Sequence, residues 1–100
     1  MSLILAGTVR VAPDQVATLA PHATAMMTAT RLEDGCLAYA FSEDLADPGL
    51  IHVFEIWRDE SALAAHAGAP HMKIWRAASA AAGVADRRLA VYQIASERPL

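Results

Sequence analysis

Two stretches, Leu3–Val11 and Leu50–Arg58, carry apolar residues on both of their alternating faces. Successive side chains of a strand point to opposite sides of its sheet. In the first stretch Leu3, Leu5, Val9 and Val11 share one face, while Ile4, Ala6 and Thr8 share the other. The second runs through Val53, Phe54, Ile56 and Trp57 without clean polar alternation. A sheet with helices on one side and water on the other alternates more cleanly than this. Both faces therefore call for cover, and 100 residues must supply it. That length makes one domain, residues 1–100, close to the lower limit for a self-sufficient core. The apolar fraction is 55%, above a usual level of about 45–50%. The surplus implies burial against a second copy of the chain, a homodimer.

The remaining pattern gives the element order. Pro13 suits the first turn of a helix. Asp14–Leu32 then reads as helical, with Val16, Leu19, Ala23, Met26, Met27 and Thr30 near one stripe and Pro21 expected to kink it. Glu33-Asp34-Gly35 stops the helix. Cys36–Ser42 is the next strand, and Ala46-Asp47-Pro48-Gly49 a turn before Leu50–Arg58. Asp59 is a good N-cap for a helix from Glu60 to His66. Gly68 breaks it, and Pro70 opens a second piece reaching about Gly83. Arg87–Ser96 is the last strand. Strand, helix, strand, strand, helix, strand is the α+β, ferredoxin-like plan: βαββαβ, a four-stranded antiparallel sheet with helices on one face. The apolar second face is where the partner's sheet is expected.

Charge narrows the functional classes. The net charge is -3 with no basic block, which excludes a nucleic-acid footprint and a polybasic membrane contact. Leu3-Ile4-Leu5-Ala6 is too short for a signal-peptide core, and no run approaches the roughly 18 apolar residues of a membrane span. The single cysteine, Cys36, forms no internal disulfide and fits a reducing, cytoplasmic setting.

Three passages are distinctive. Thr30-Arg31-Leu32-Glu33-Asp34-Gly35-Cys36-Leu37-Ala38-Tyr39 follows the pattern R-x-E-x-G-C-x-x-Y, Phe54-Glu55-Ile56-Trp57-Arg58-Asp59 contains E-x-W, and Ala65-His66-Ala67-Gly68-Ala69-Pro70-His71-Met72 contains H-x-x-x-P-H. Together, in this order, they resemble the antibiotic biosynthesis monooxygenase family over Ile4 to about Ile94. The resemblance implies a dimeric α+β barrel with an apolar pocket in each subunit. It further implies a quinol monooxygenase-like activity, using molecular oxygen on a small hydroxylated aromatic without metal, flavin or haem. No Gly-rich phosphate loop suggests a nucleotide cofactor.

Triplet oxygen reacts slowly with closed-shell organics, but a deprotonated quinol can pass it one electron. Such chemistry needs a base, a dry pocket and something to steady the anion. His66 and His71 are the first choices for acid–base work, because imidazole titrates near neutral pH. Their five-residue spacing puts them on different faces of a continuous helix, but the break at Gly68–Pro70 can turn both toward one pocket. The same spacing is not a zinc motif, and no metal is expected. Tyr39 offers a hydroxyl to a quinol or superoxide-like oxygen. Trp57 and Trp75 can stack on an aromatic substrate, and Met26 and Met27 can line irregular space. Glu55 and Arg31 complete the candidate pocket, with Glu55 expected to pair with Arg31 or Arg58 if buried. Strict alternation puts His52 on the face opposite Glu55 and Trp57; if those two face the helices, His52 belongs nearer the partner's sheet.

Two other branches of the superfamily are weighed by residues. Haem-degrading relatives use an Asn on the first strand, where this chain has Ala6-Gly7-Thr8, and a Trp and a His where it has His66 and Trp75. All three positions depart from that pattern. An isomerase of phosphorylated molecules would want Lys73, Arg76 and Arg31 in the pocket. A third reading is a non-catalytic dimer that binds a small aromatic ligand.

Overall fold

The strand alternation resolves into a four-stranded antiparallel sheet with helices packed on one side. The computed structural model describes residues 1–100. Strand β1 spans Leu3–Arg10, β2 Cys36–Glu43, β3 Leu50–Trp57 and β4 Ala85–Gln93. Helix α1 spans Val16–Thr30, α2 Glu60–Ala67 and α3 Pro70–Ala81. The sheet order is β2-β3-β1-β4, the ferredoxin-like arrangement.

Local signals explain most boundaries. Asp59 Oδ1 accepts a hydrogen bond from the Ala62 N–H at 2.9 Å and starts α2. Gly68 ends it, and Pro70 occupies the first turn of α3, where its missing N–H costs nothing. A short 3₁₀ turn, Pro13–Gln15, precedes α1, so the regular helix begins later than expected. Pro21 lies on the exposed side of α1, which runs through it. β4 begins before the expected Arg87, because Ala85 pairs with Arg10 beyond a bulge in β4, where three steps from Arg88 to Ala85 oppose two from Thr8 to Arg10. Gly7 makes that edge possible. Its φ is +149°, and a Cβ there would lie 1.9 Å from the Arg88 carbonyl oxygen.

Register decides what each face presents. Tyr39, Glu55, Leu5 and Val91 form one row across the helix-covered face. On the other face Ala38, Ile56, Ile4 and Tyr92 form a row, and Ala40, Phe54, Ala6 and Ala90 the next. None of these eight residues is buried, although all are apolar or aromatic. On this face the sheet lacks the cover that the sequence called for. His52 sits there too, exposed, with Nε2 2.8 Å from Asp44 Oδ2.

The core lies between sheet and helices in two clusters. Leu19, Met26, Tyr39, Trp57, Ala62 and Trp75 make one, and Val9, Val11, Ile51 and Val53 the other. Phe41 packs against both. Only 15 of the 100 residues are buried, so the single chain encloses a thin core.

Candidate functional site

A cavity of about 400 Å³ opens between the helix-covered face of the sheet and the α2–α3 arm. Most of its wall is apolar, including Leu5, Phe41 and Trp75. Tyr39, Glu55, His66 and Ser79 bring polar groups to it, and Arg76 and Arg87 add positive charge. A second cavity of about 160 Å³ lies beside it under α1. The two share Val9, Phe41, Trp75 and Val84 as a common wall.

His66 is held on the last turn of α2 and is 3% exposed. Its Nδ1 is 2.7 Å from Glu33 Oε2. His71, on the first turn of α3, brings its Nε2 to 2.9 Å from the same oxygen. A carboxylate can only accept hydrogen bonds, so each of these ring nitrogens donates an N–H. A neutral His66 with its hydrogen on Nδ1 keeps a lone pair on Nε2. That nitrogen lies 3.5 Å from the Tyr39 hydroxyl. The Trp57 ring packs against the imidazole at a centroid separation of 4.6 Å and fixes its plane.

Two further groups in the cavity have shifted titrations. Burial, and then the nearby Glu55 and Glu33 carboxylates, push the Tyr39 phenol well above its usual range. It therefore stays protonated at neutral pH and can donate. Burial also raises the Glu55 carboxyl to about 6, opposed by the hydrogen bond it accepts from Trp57 Nε1 at 2.9 Å. Glu55 thus changes charge close to neutral pH inside the cavity.

Several expectations are corrected by these positions. Glu55 pairs with neither arginine. Arg31 Nε donates to the Tyr39 backbone carbonyl at 2.9 Å, and Arg58 binds Asp34 at 3.0 Å. Strand alternation sends Arg58 away from the face that carries Glu55. His71 does not share the pocket with His66; it reaches behind His66 to Glu33. Trp57 is fully buried and lines neither cavity, because its indole is used up between His66, Tyr39 and Glu55. Met26 is likewise core, at 2% exposure, and Arg31 lines neither cavity. Met27 lines the smaller cavity, while Trp75 lines both.

In the sequence Glu33 belongs to a helix stop and to the R-x-E-x-G-C passage, and neither shows that it holds both histidines. Ser79 was missed as well. Its buried Oγ has no hydrogen-bond partner and sits on the cavity wall within the alanine-rich turns of α3. Cys36 is partly buried, and burial raises its thiol pKa, which suits a packing role.

The fold and this cavity define a ferredoxin-like α+β domain with a buried histidine on the wall of a largely apolar cavity. The profile of the family described as antibiotic biosynthesis monooxygenase matches residues 2–78. The chain belongs to that family. A Deinococcus radiodurans structure, named as a candidate antibiotic biosynthesis monooxygenase, is 28% identical with a TM-score of 0.88, covering 100% of this chain and 98% of that one. Rv0793 of Mycobacterium tuberculosis, named as a candidate monooxygenase, is 43% identical over 65 residues, 65% of this chain and 63% of its own length. Its solved structure has a TM-score of 0.78 at 30% identity, covering 99% of this chain and 98% of that one. The uncharacterised protein sll1783 of Synechocystis is 26% identical over 98 residues, which is 98% of this chain and 67% of that protein. The alignments with these two curated relatives thus span about two thirds of their length. Family and relatives support a general monooxygenase-like function. No helix is long and apolar enough to cross a membrane.

Proposed function

We propose that this chain is a cofactor-independent monooxygenase that oxidises a quinol or polyphenolic aromatic with molecular oxygen. The observation that carries the reading is His66. Its Nδ1 is anchored by Glu33, and its Nε2, on the wall of a largely apolar cavity, accepts from the protonated Tyr39 hydroxyl at 3.5 Å, a weak contact that a substrate hydroxyl can replace.

In this reading Nε2 takes the proton of a substrate hydroxyl. The electron-rich anion then passes one electron to oxygen, giving a semiquinone and superoxide. Tyr39 donates a hydrogen bond to the developing oxygen anion, and the apolar walls keep bulk water away. Recombination of the two radicals forms a carbon–oxygen bond. Cleavage of the oxygen–oxygen bond, with the proton returned from His66, leaves one oxygen atom on the ring and the other in water. The quinol supplies all four electrons and ends as a hydroxylated quinone, so no external reductant enters the balance. Trp75 shapes the wall between the two cavities, and Met27 lines the smaller one.

The uncovered rows around Phe54 and Ile56 support a homodimer closed sheet against sheet, and the single cysteine fits a cytoplasmic setting. Arg76 and Arg87 on the cavity wall favour a second reading, isomerisation of a phosphorylated small molecule. The test is oxygen uptake by chelator-treated protein over a panel of hydroquinones. The reading expects a rate above the spontaneous background that His66→Ala loses by at least about a hundredfold. No rate above background with any hydroquinone, or a His66→Ala variant as fast as the parent, rejects it.

A further inference from the structure

Glu33, His66 and His71 bring three potential metal-ligating atoms within 4.8 Å of one another. They come from three places in the fold: the link after α1, the last turn of α2 and the first turn of α3. Residues five apart on an unbroken helix are rotated by about 140° around its axis and cannot share a ligand. The break at Gly68 removes that obstacle, leaving the two imidazole rings 6.2 Å apart between centroids.

We infer that Glu33, His66 and His71 form a binding site for a divalent transition ion of the zinc class, and that the bound ion switches the cavity off. Two imidazole nitrogens and one carboxylate oxygen suit zinc and its neighbours, whereas calcium and magnesium prefer all-oxygen sets. The graded exposure gives the ion a way in. The His66 side chain is 4% exposed, Glu33 16% and His71 23%, so the ion enters past His71 and the fourth position faces outward.

The switch follows from the tautomer. An ion on His66 Nδ1 takes the electron pair of the nitrogen that otherwise donates to Glu33. A neutral ring ligated there must carry its hydrogen on Nε2. The nitrogen near Tyr39 changes from acceptor to donor and can no longer accept a substrate proton. This effect on turnover rests on the oxidation proposed above, while occupancy of the site does not.

Cobalt(II) added to chelator-treated protein tests occupancy directly. The expected result is one equivalent per chain, visible d–d absorption, and displacement of the cobalt by zinc. His71→Ala and Glu33→Gln should each weaken zinc binding by more than about a hundredfold, the upper end of the cost of losing only an outer-shell partner. His22→Ala and His52→Ala should leave it unchanged. Thermal melts show which variants remain folded, and His71→Gln serves if His71→Ala does not. Zinc should also inhibit oxygen uptake by the parent protein at the concentration that fills the site. No cobalt spectrum, or a spectrum that survives both His71→Ala and Glu33→Gln, overturns the site. Zinc that fills the site without slowing oxygen uptake overturns the switch. Binding without any quinol oxidation by the metal-free protein rejects the proposed oxidation and leaves the site standing.

Discussion

Replacing Glu55 by Gln should flatten the pH dependence of stability between mildly acidic and neutral conditions. Glu55 is 4% exposed and receives the Trp57 indole N–H at 2.9 Å. The amide oxygen of Gln can accept the same hydrogen bond at nearly the same volume, so the perturbation is mainly the charge. The carboxyl titrates at about 6 in the folded chain against an ordinary 4.5. Below the lower value both states are protonated and Glu55 contributes no pH dependence. Between the two, the folded state keeps a proton that the unfolded state has lost, so folding weakens as pH rises. Above the upper value both states are ionised and the full penalty is present. A shift of this size corresponds to at most about 2 kcal/mol, at about 1.4 kcal/mol per unit. Denaturant titrations of parent and variant, at equal protein concentration near about pH 4 and about pH 7.5, measure it. The stability advantage of Glu55→Gln should grow by up to that amount from the lower to the higher pH. An advantage that stays constant, or shrinks, would show that Glu55 is not held in a desolvated position.

Gly7→Ala should cost more than about 3 kcal/mol, or prevent folding, because a Cβ 1.9 Å from the Arg88 carbonyl must push β4 off β1; a thermal melt matching the parent's would contradict the β1–β4 register. Phe54→Glu should dissociate the proposed homodimer. Burying one Phe is worth about 1.5–3 kcal/mol, and twofold symmetry counts it twice, so the dissociation constant should rise by about a hundredfold or more. Sedimentation at graded concentrations reads the change, and an unaltered association constant would move the interface elsewhere.

Much of the fold was written in local signals that a sequence carries openly. The two-residue alternation of β1 and β3 announced both faces, and Asp59, Gly68 and Pro70 marked the two helical pieces before β4. Where the expectation slipped, the deciding interaction was long-range. The start of β4 depends on Ala85 finding Arg10, and nothing near Ala85 encodes that pairing. The site divides in the same way. His66, Tyr39 and Glu55 could be singled out by type and position. That Glu33 would take both histidines could not, because the contacts span 33 and 38 residues and depend on how α1 ends against the α2–α3 break. Alternation puts Trp57 on the same face as Glu55, but it cannot separate a cavity wall from the packing behind it. The indole faces His66 and hydrogen-bonds Glu55, which leaves it no surface for a ligand.

The cavity and the uncovered sheet face are connected through the limited supply of apolar surface. The sequence is 55% apolar, yet only eleven hydrophobic residues form the buried core. Others line the two cavities or stand on the outer rows with Phe54 and Tyr92, which remain 44% and 56% exposed. A domain of this size that keeps open space beneath its helices forgoes packing it would otherwise use for stability. Covering the outer rows with a second copy restores burial without filling the cavity, because the two lie on opposite faces of the same sheet. On this argument, mutations that loosen the dimer should lower stability first and alter the cavity only through unfolding. His66, Glu33 and Tyr39 all sit on the helix side, out of reach of a second copy packed on the outer rows.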